Sequence, residues 1–244
     1  MRHIGVAVPL ALVAAALFPA PLRADPIAMG WPQPGGPGTT VLITYSYSNL
    51  LDGSLRLIPE GSLRDATVEA LSVWAMFAPL RFVELRDSGP PPSEAPYDGG
   101  TSPQIRIGHH PMTDLAHSFF PAAPDGRAGD VHFDTGIPWT LGSNHWNLLE
   151  VLAHELGHAL GLGHIADEPA IMNPFFPQAR FAGLGTGFLL PADVRALQAL
   201  YGAGIGSVHP LDPIPEPATL LLVGAGLVAL ARRRASARWF TRGD

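Results

Sequence analysis

The run His154-Glu155-Leu156-Gly157-His158-Ala159-Leu160-Gly161-Leu162-Gly163-His164 holds the residue types and spacing best suited to chemistry in this chain. Side chains four apart on a helix stand one above the other, so His154 and His158 can offer two imidazoles to a single ion. Glu155 rides on the same helix beside them. A helix continued to His164 would carry that residue more than a turn away, so the chain must bend back, and Gly161 tolerates the positive φ of such a bend. Three histidines leave a fourth tetrahedral position open for water. A zinc ion held there would lower the pKa of its water toward ~7 and polarise a carbonyl, with Glu155 placed to take the water's proton. A bare H-E-x-x-H can be a solvated helix face that matches by chance; Gly161 and His164 at the right spacing make this a metal-site expectation.

The elements that must carry these groups can be read from the flanking residues. Asn147 is placed to cap the helix, with Glu150 three residues on able to return the bond. Leu149, Leu152, Leu156 and Leu160 form its buried stripe and Gly161 ends it. Upstream, 41–48 alternates Val41, Ile43, Tyr45 and Tyr47 with smaller or more polar residues, a strand pattern. The spacing of Ala66, Ala70, Trp74 and Phe77 predicts an amphipathic helix over 62–77, with Ser62 and Asp65 at its cap and Pro79 closing it. Strands are expected at 81–85 and 104–107, separated by a Pro/Gly/Ser-rich loop over 88–103. After an irregular passage over 165–190, Pro191 opens a last helix with Val194, Leu197 and Tyr201 on one side and Gly202 at its end.

Composition narrows the function classes. Charged residues make up 15% of the 244 residues and the formal net charge is -6, so nothing favours nucleic acid or an anionic membrane as partner. Gly (27) and Pro (26) are abundant, yet 47% of the chain is apolar, so long loops around a real core are expected. Cysteine is absent. An exported chain of this composition is held by packing and bound metals rather than disulfides.

The two ends look like addresses. Met1-Arg2-His3, an apolar run over 4–18 and Pro19-Ala20-Pro21-Leu22-Arg23-Ala24 have the order of a secretory signal peptide; the alternative, a membrane anchor, has too short a run. Near the C-terminus, Pro215-Glu216-Pro217 precedes an apolar stretch over 218–231 and then Arg232-Arg233-Arg234. At ~1.5 Å per residue that stretch reaches only about 21 Å, short for a permanent span. The arrangement resembles the PEP-CTERM sorting signal of bacteria, whose tail is removed by a sorting protease of the inner membrane. An ordinary tail anchor or a buried helix is the alternative.

The zinc motif resembles the metzincin signature H-E-x-x-H-x-x-G-x-x-H, and Ala170-Ile171-Met172-Asn173-Pro174 looks like that superfamily's Met-turn. On this resemblance Met172 packs beneath the histidines without ligating; otherwise it is an ordinary core methionine. Leu115-Ala116-His117-Ser118-Phe119-Phe120-Pro121, Gly129-Asp130-Val131-His132-Phe133-Asp134, Ala70-Leu71-Ser72-Val73-Trp74 and Leu197-Gln198-Ala199-Leu200-Tyr201-Gly202 are similar to segments of the matrixin family. The resemblance implies an α+β zincin-like catalytic domain, with a twisted five-stranded mixed sheet and three helices, and endopeptidase activity. It further implies a structural zinc on His117 and His132, with His109 or His110 as third ligand and Asp114 as fourth, and calcium at Asp130 and Asp134. Read by themselves, His109 and His110 could be exposed loop histidines and the two aspartates a solvated loop.

The chain departs from the family pattern at several points. The stretch between Ile107 and Leu115 is shorter and lacks the usual His-Gly-Asp, Ile137 stands where another acid is common, and Ile165 stands where serine is usual. With no cysteine and a short segment ahead of the first strand, no cysteine-switch propeptide is expected. The organisation expected is a signal peptide (1–24), a linker (25–40), a catalytic domain (41–203), a linker (204–214) and a sorting tail (215–244). The function expected is a zinc endopeptidase acting on extracellular proteins after export to the cell surface or matrix. The rival is a catalytically idle, metal-stabilised adhesion module.

Overall fold

The computed structural model describes residues 30–87, 89–95, 103–123, 126–143, 146–175 and 180–211. The expected signal peptide and sorting tail lie outside them.

A sheet of order β4-β5-β3-β1-β2-β6 forms the spine, built from β1 (Val41–Ser46), β2 (Leu80–Glu84), β3 (Ile105–His110), β4 (Ala116–Ser118), β5 (Val131–Asp134) and β6 (Ser207–His209). All neighbouring pairs are parallel except β4 with β5, which is antiparallel. The alternation read in β1 holds: Val41, Ile43 and Tyr45 are buried and Leu42 is exposed. Helices α1 (Glu60–Ala75), α2 (Leu148–Ala159) and α3 (Pro191–Tyr201) complete the expected α+β domain.

Helix α1 starts two residues earlier than its pattern suggested. Pro59 is the N-cap and no side chain caps it, so Ser62 and Asp65 fall inside the helix. Proline fixes φ near the helical value and has no N–H to satisfy, which makes it an effective start. Helix α2 begins as expected, with the Asn147 side chain accepting from Glu150 N at 3.2 Å. The Glu150 carboxylate does not return the bond. It is fully buried and accepts from Arg180 N (2.7 Å) and Phe181 N (3.0 Å), holding the far side of the 165–190 passage against the start of α2. Every residue of α2 except His158 is buried, so the leucine stripe is only part of an all-round buried surface. Trp74 fixes α1 to it by donating to Ala153 O at 2.9 Å.

The described parts of both segments expected as linkers, 30–40 and 204–211, are docked. Trp31 donates its ring N–H to Ala159 O (3.0 Å) and its backbone N–H to Tyr201 Oη (2.9 Å), while Tyr201 donates to Leu160 O (2.7 Å). After α3, β6 adds a sixth strand beside β2, and Leu211 N donates to Glu84 Oε2 at 3.0 Å. Gly206 makes this possible, since a Cβ there would stand 1.9 Å from Leu80 O. So short a strand with one apolar residue, Val208, has no periodicity to reveal it.

One buried ion-pair network braces the 89–95 loop against β3. Arg106, fully buried, donates to Asp87 Oδ2 (2.8 Å) and Oδ1 (3.1 Å), to Ser48 Oγ (3.1 Å) and to Pro90 O, with Asp130 Oδ2 3.6 Å away. Burial by itself would raise the Asp87 carboxyl, but hydrogen bonds from Arg106, Ser46 and Gly89 hold it below its ordinary value. A depressed carboxyl adds stability that is present above its unfolded pKa of ~3.9 and is lost as pH falls through the folded value. Asp87→Ala should therefore destabilise the domain by about 3 kcal/mol at neutral pH by stripping a buried arginine of its main partner. Urea melts taken down through pH ~4 should show the parent losing more stability over that window than the variant.

Candidate metal centre and active site

The end of α2 builds the turn that the third histidine requires. Gly161 sits at φ 95°, Gly161 N donates to His158 O (2.8 Å) and Leu162 N donates to Gly157 O (2.9 Å). This is the paired bonding of a Schellman turn, which satisfies the last helix carbonyls while reversing the chain. Leu162 O then accepts from His158 Nδ1 at 2.7 Å, and two residues later His164 Nε2 lies 3.1 Å from His158 Nε2. His154 completes the group, all three ligand atoms lying within 4.8 Å of one another.

The protonation of these rings follows from their partners. Carbonyls only accept, so His158 Nδ1, on Leu162 O, and His154 Nδ1, on Ile171 O at 2.7 Å, must carry the hydrogens. Nε2 is then the nitrogen that carries the lone pair in both rings. Burial, with the neighbouring His158 charge, pushes His154 down to about 3, and burial with His164 pushes His158 to about 4, so the rings are neutral near pH 7. Two neutral imidazoles, each backed by a carbonyl on Nδ1 and offering an Nε2 lone pair beside a third histidine, fit a divalent metal.

Glu155 is also buried. Burial raises its carboxyl to about 7, against the lowering effect of a hydrogen bond from Ser118 Oγ to Oε2 at 2.9 Å. It lines an open cleft of about 470 Å³ with the three histidines, Ala116, Ser118 and Pro174, and Phe120 packs edge-on against His158 with ring centres 5.6 Å apart. A larger cleft of about 1350 Å³ between α1 and the ends of β2 and β6 holds none of these groups.

The turn below the histidines is fixed from α3. Asp193, fully buried, accepts from Ile171 N (2.8 Å), Met172 N (3.0 Å) and Leu190 N (3.0 Å), so the Ile171 carbonyl is presented to His154. Met172 is fully buried against α2. A Cβ at Gly157 would stand 2.2 Å from Met172 Sδ and 3.0 Å from Trp74, so the glycine between the two helical histidines is there for Met172 to approach. Asp193 and Gly157 carried no signal in their residue types alone; an aspartate in a helix's first turn reads equally well as a cap.

The sequence model of the Matrixin family matches residues 40–202, which take in all of these groups. The chain belongs to the matrixin family. It is 41% identical to human Matrix metalloproteinase-20 over 57% of its own length and 28% of that protein's, and 35% identical to rat Stromelysin-3 over 63% and 29%. With human Neutrophil collagenase it shares 32% identity over 66% and 33%. This matrixin thus spans a third or less of the length of these relatives. Residues 213–235 match the PEP-CTERM protein-sorting motif, which marks the chain for export to the cell surface or extracellular matrix after proteolytic processing.

A second cluster sits on the β4–β5 side of this matrixin domain. His110, His117, His132 and Glu94 bring one ligand atom each to within 4.8 Å of one another. His110 Nε2 is 3.1 Å from His132 Nδ1, and Glu94 Oε1 lies 3.1 Å from His117 Nε2 and 3.3 Å from His110 Nε2. His117 Nε2 is buried yet, despite that proximity, is out of line for a hydrogen bond and has none among the described residues. Burial and the neighbouring His132 lower the pKa of His117, which suits a ligand. Such an orphaned nitrogen fits a metal at the centre of the cluster.

The two candidates on β3 point to different places. His110 joins the cluster, whereas His109 turns to Asp52, its Nε2 3.0 Å from Oδ1. Asp114 is exposed and outside the cluster. Glu94, from the Pro-rich loop, takes the acidic position; the loop is pinned by Arg106 on Pro90 O and by Arg127, which donates to Glu94 O at 2.7 Å. Asp130 is buried beside Arg106 and His132, and Asp134 accepts from Met112 N and Gly136 N. Neither belongs to a metal-ready cluster among the described residues. Gly157→Ala should destabilise the domain by about 2 kcal/mol or more through overpacking, with a matching loss of affinity for zinc at the three histidines. Thermal melts and zinc competition with a chromophoric chelator check both.

Proposed function

We propose that this domain is a zinc-dependent endopeptidase acting on extracellular proteins, with His154, His158 and His164 holding the catalytic zinc and Glu155 as general base. The observation that carries the reading is a buried carboxylate beside three histidines whose ligand nitrogens lie within 4.8 Å of one another at an open cleft. Zinc bound there supplies Lewis acidity, lowering the pKa of a coordinated water toward ~7 and polarising a peptide carbonyl. Glu155 takes the attacking water's proton and returns it to the nitrogen of the leaving amine. The carbonyls of Ile171 and Leu162 keep His154 and His158 in the tautomer that binds metal. Strand β4, along the cleft and at the edge of the sheet formed by the described residues, offers its outer backbone groups to an extended peptide, a mode that accepts many sequences. Met172 supports α2 from below and does not ligate.

His110, His117, His132 and Glu94 are proposed to hold a second zinc that braces the loop and strands beside the cleft. Asp130 and Asp134 are committed to Arg106 and to backbone amides, so calcium has no part in this reading. The tail is removed by a sorting protease of the inner membrane, and the mature domain then acts outside the cell.

Glu155→Ala should keep its zinc and fold while losing about 10²- to 10⁴-fold in kcat on a quenched peptide, whereas His158→Ala should lose the metal itself. Near-normal hydrolysis by a zinc-loaded Glu155→Ala protein would refute the mechanism. A well-folded, zinc-loaded parent that cleaves nothing in a broad peptide library would favour the adhesion module. For the second site, Glu94→Ala should lower the zinc-to-protein ratio and the melting temperature, while Asp114→Ala should change neither. Elemental analysis beside thermal melts separates the two acids.

A further inference from the structure

Ser118, on the edge strand β4, touches Glu155 twice. Its Oγ lies 2.9 Å from Oε2 and 2.8 Å from the backbone O of the same residue. A hydroxyl has one hydrogen and two lone pairs, so it can donate to only one of these groups at a time. A carboxylate oxygen is the stronger acceptor, so the hydrogen goes to Oε2. Among the described residues Oε1 takes no hydrogen bond, and Glu155, 6% exposed, lines the cleft next to Ser118. The serine thereby fixes the carboxyl plane by one oxygen and leaves the other for the reacting proton.

We propose that Ser118 is a positioning residue for the general base, holding Oε2 so that Oε1 faces the scissile bond through both proton transfers. This rests on the peptidase reading above. The proton passes from water to Oε1 and from Oε1 to the leaving amine, and the serine keeps its own hydrogen throughout. A glutamate has three side-chain torsions to fix, and apolar walls restrict them without choosing an orientation for the carboxyl. The hydrogen bond supplies that choice.

The test uses the zinc-loaded full chain with Ser118→Ala and Ser118→Thr. Alanine should lower kcat by roughly 5- to 50-fold, less than loss of the base itself, with KM within about twofold and zinc content unchanged. Threonine, which keeps the hydroxyl, should recover kcat to within about threefold of the parent. Binding of a peptidyl hydroxamate gives a readout that needs no turnover, because its acidic proton requires a carboxylate acceptor beside the metal. Ser118→Ala should weaken that binding about fivefold in the parent and leave it unchanged in a Glu155→Ala background, the signature of a residue acting through its neighbour. A parental kcat in Ser118→Ala, or equal weakening in both backgrounds, overturns the proposal. A parent that binds zinc and hydroxamate but cleaves no peptide counts against the peptidase reading alone, since the cycle still measures the coupling.

Discussion

His154 and His158 can turn their Nε2 atoms toward His164 only if each of the two rings is held by a hydrogen-bond acceptor on its far side and if the chain doubles back within six residues. The structure meets both conditions with backbone. The Schellman turn at Gly161 reverses the chain, and the same reversal delivers Leu162 O to His158. The second carbonyl, Ile171 O, belongs to a distant segment and reaches His154 because Asp193 accepts from Ile171 N and from Met172 N, the N–H of the same peptide unit as that carbonyl. A buried carboxylate on α3 therefore acts on a ring on α2 through a single peptide unit, and neither residue contacts the other's ligand role directly.

That arrangement explains why α2 is buried nearly all round instead of along one stripe. Removing Glu155, His154 and His158 from water is what lowers the two ring pKa values and raises the carboxyl. The cost of burying such groups falls on packing elsewhere: Trp74 and Met172 against Gly157, and Tyr201 and Trp31 over the helix end. Without cysteines, the domain depends on these contacts and on its ionic networks.

What could be read from the sequence was what depends on local spacing. His154, Glu155, His158, Gly161 and His164 are fixed relative to one another by helix geometry and one turn, so their pattern suffices. The start of α2 at Asn147 and the Pro191 and Gly202 ends of α3 were legible for the same reason. His109 and His110 were not separable, because adjacent residues on a strand point to opposite faces and the parity of β3 is set by its pairing with β5. Glu94 was out of reach. Its position depends on where a loop of proline and glycine is pinned, by Arg106 and Arg127, and no local pattern encodes that path. Asp114, which the resemblance implies as a fourth ligand, is exposed and lies outside the cluster.

Strand β4 joins the two halves of the site by the same parity rule. It has three residues, and the alternation of side chains sends His117 to the second cluster and Ser118 to Glu155 on the other side. The register His117↔His132 places two histidines of that cluster directly across a ladder pair, so whatever draws them together also fixes β4 against β5. An edge strand this short has few hydrogen bonds of its own to keep it in place. A metal shared by His110, His117, His132 and Glu94 would supply the missing constraint, and by fixing His117 it would fix Ser118 one residue away. On this view the second cluster stabilises more than a loop: it holds the peptide-binding edge and the hydrogen bond to the base in a single register.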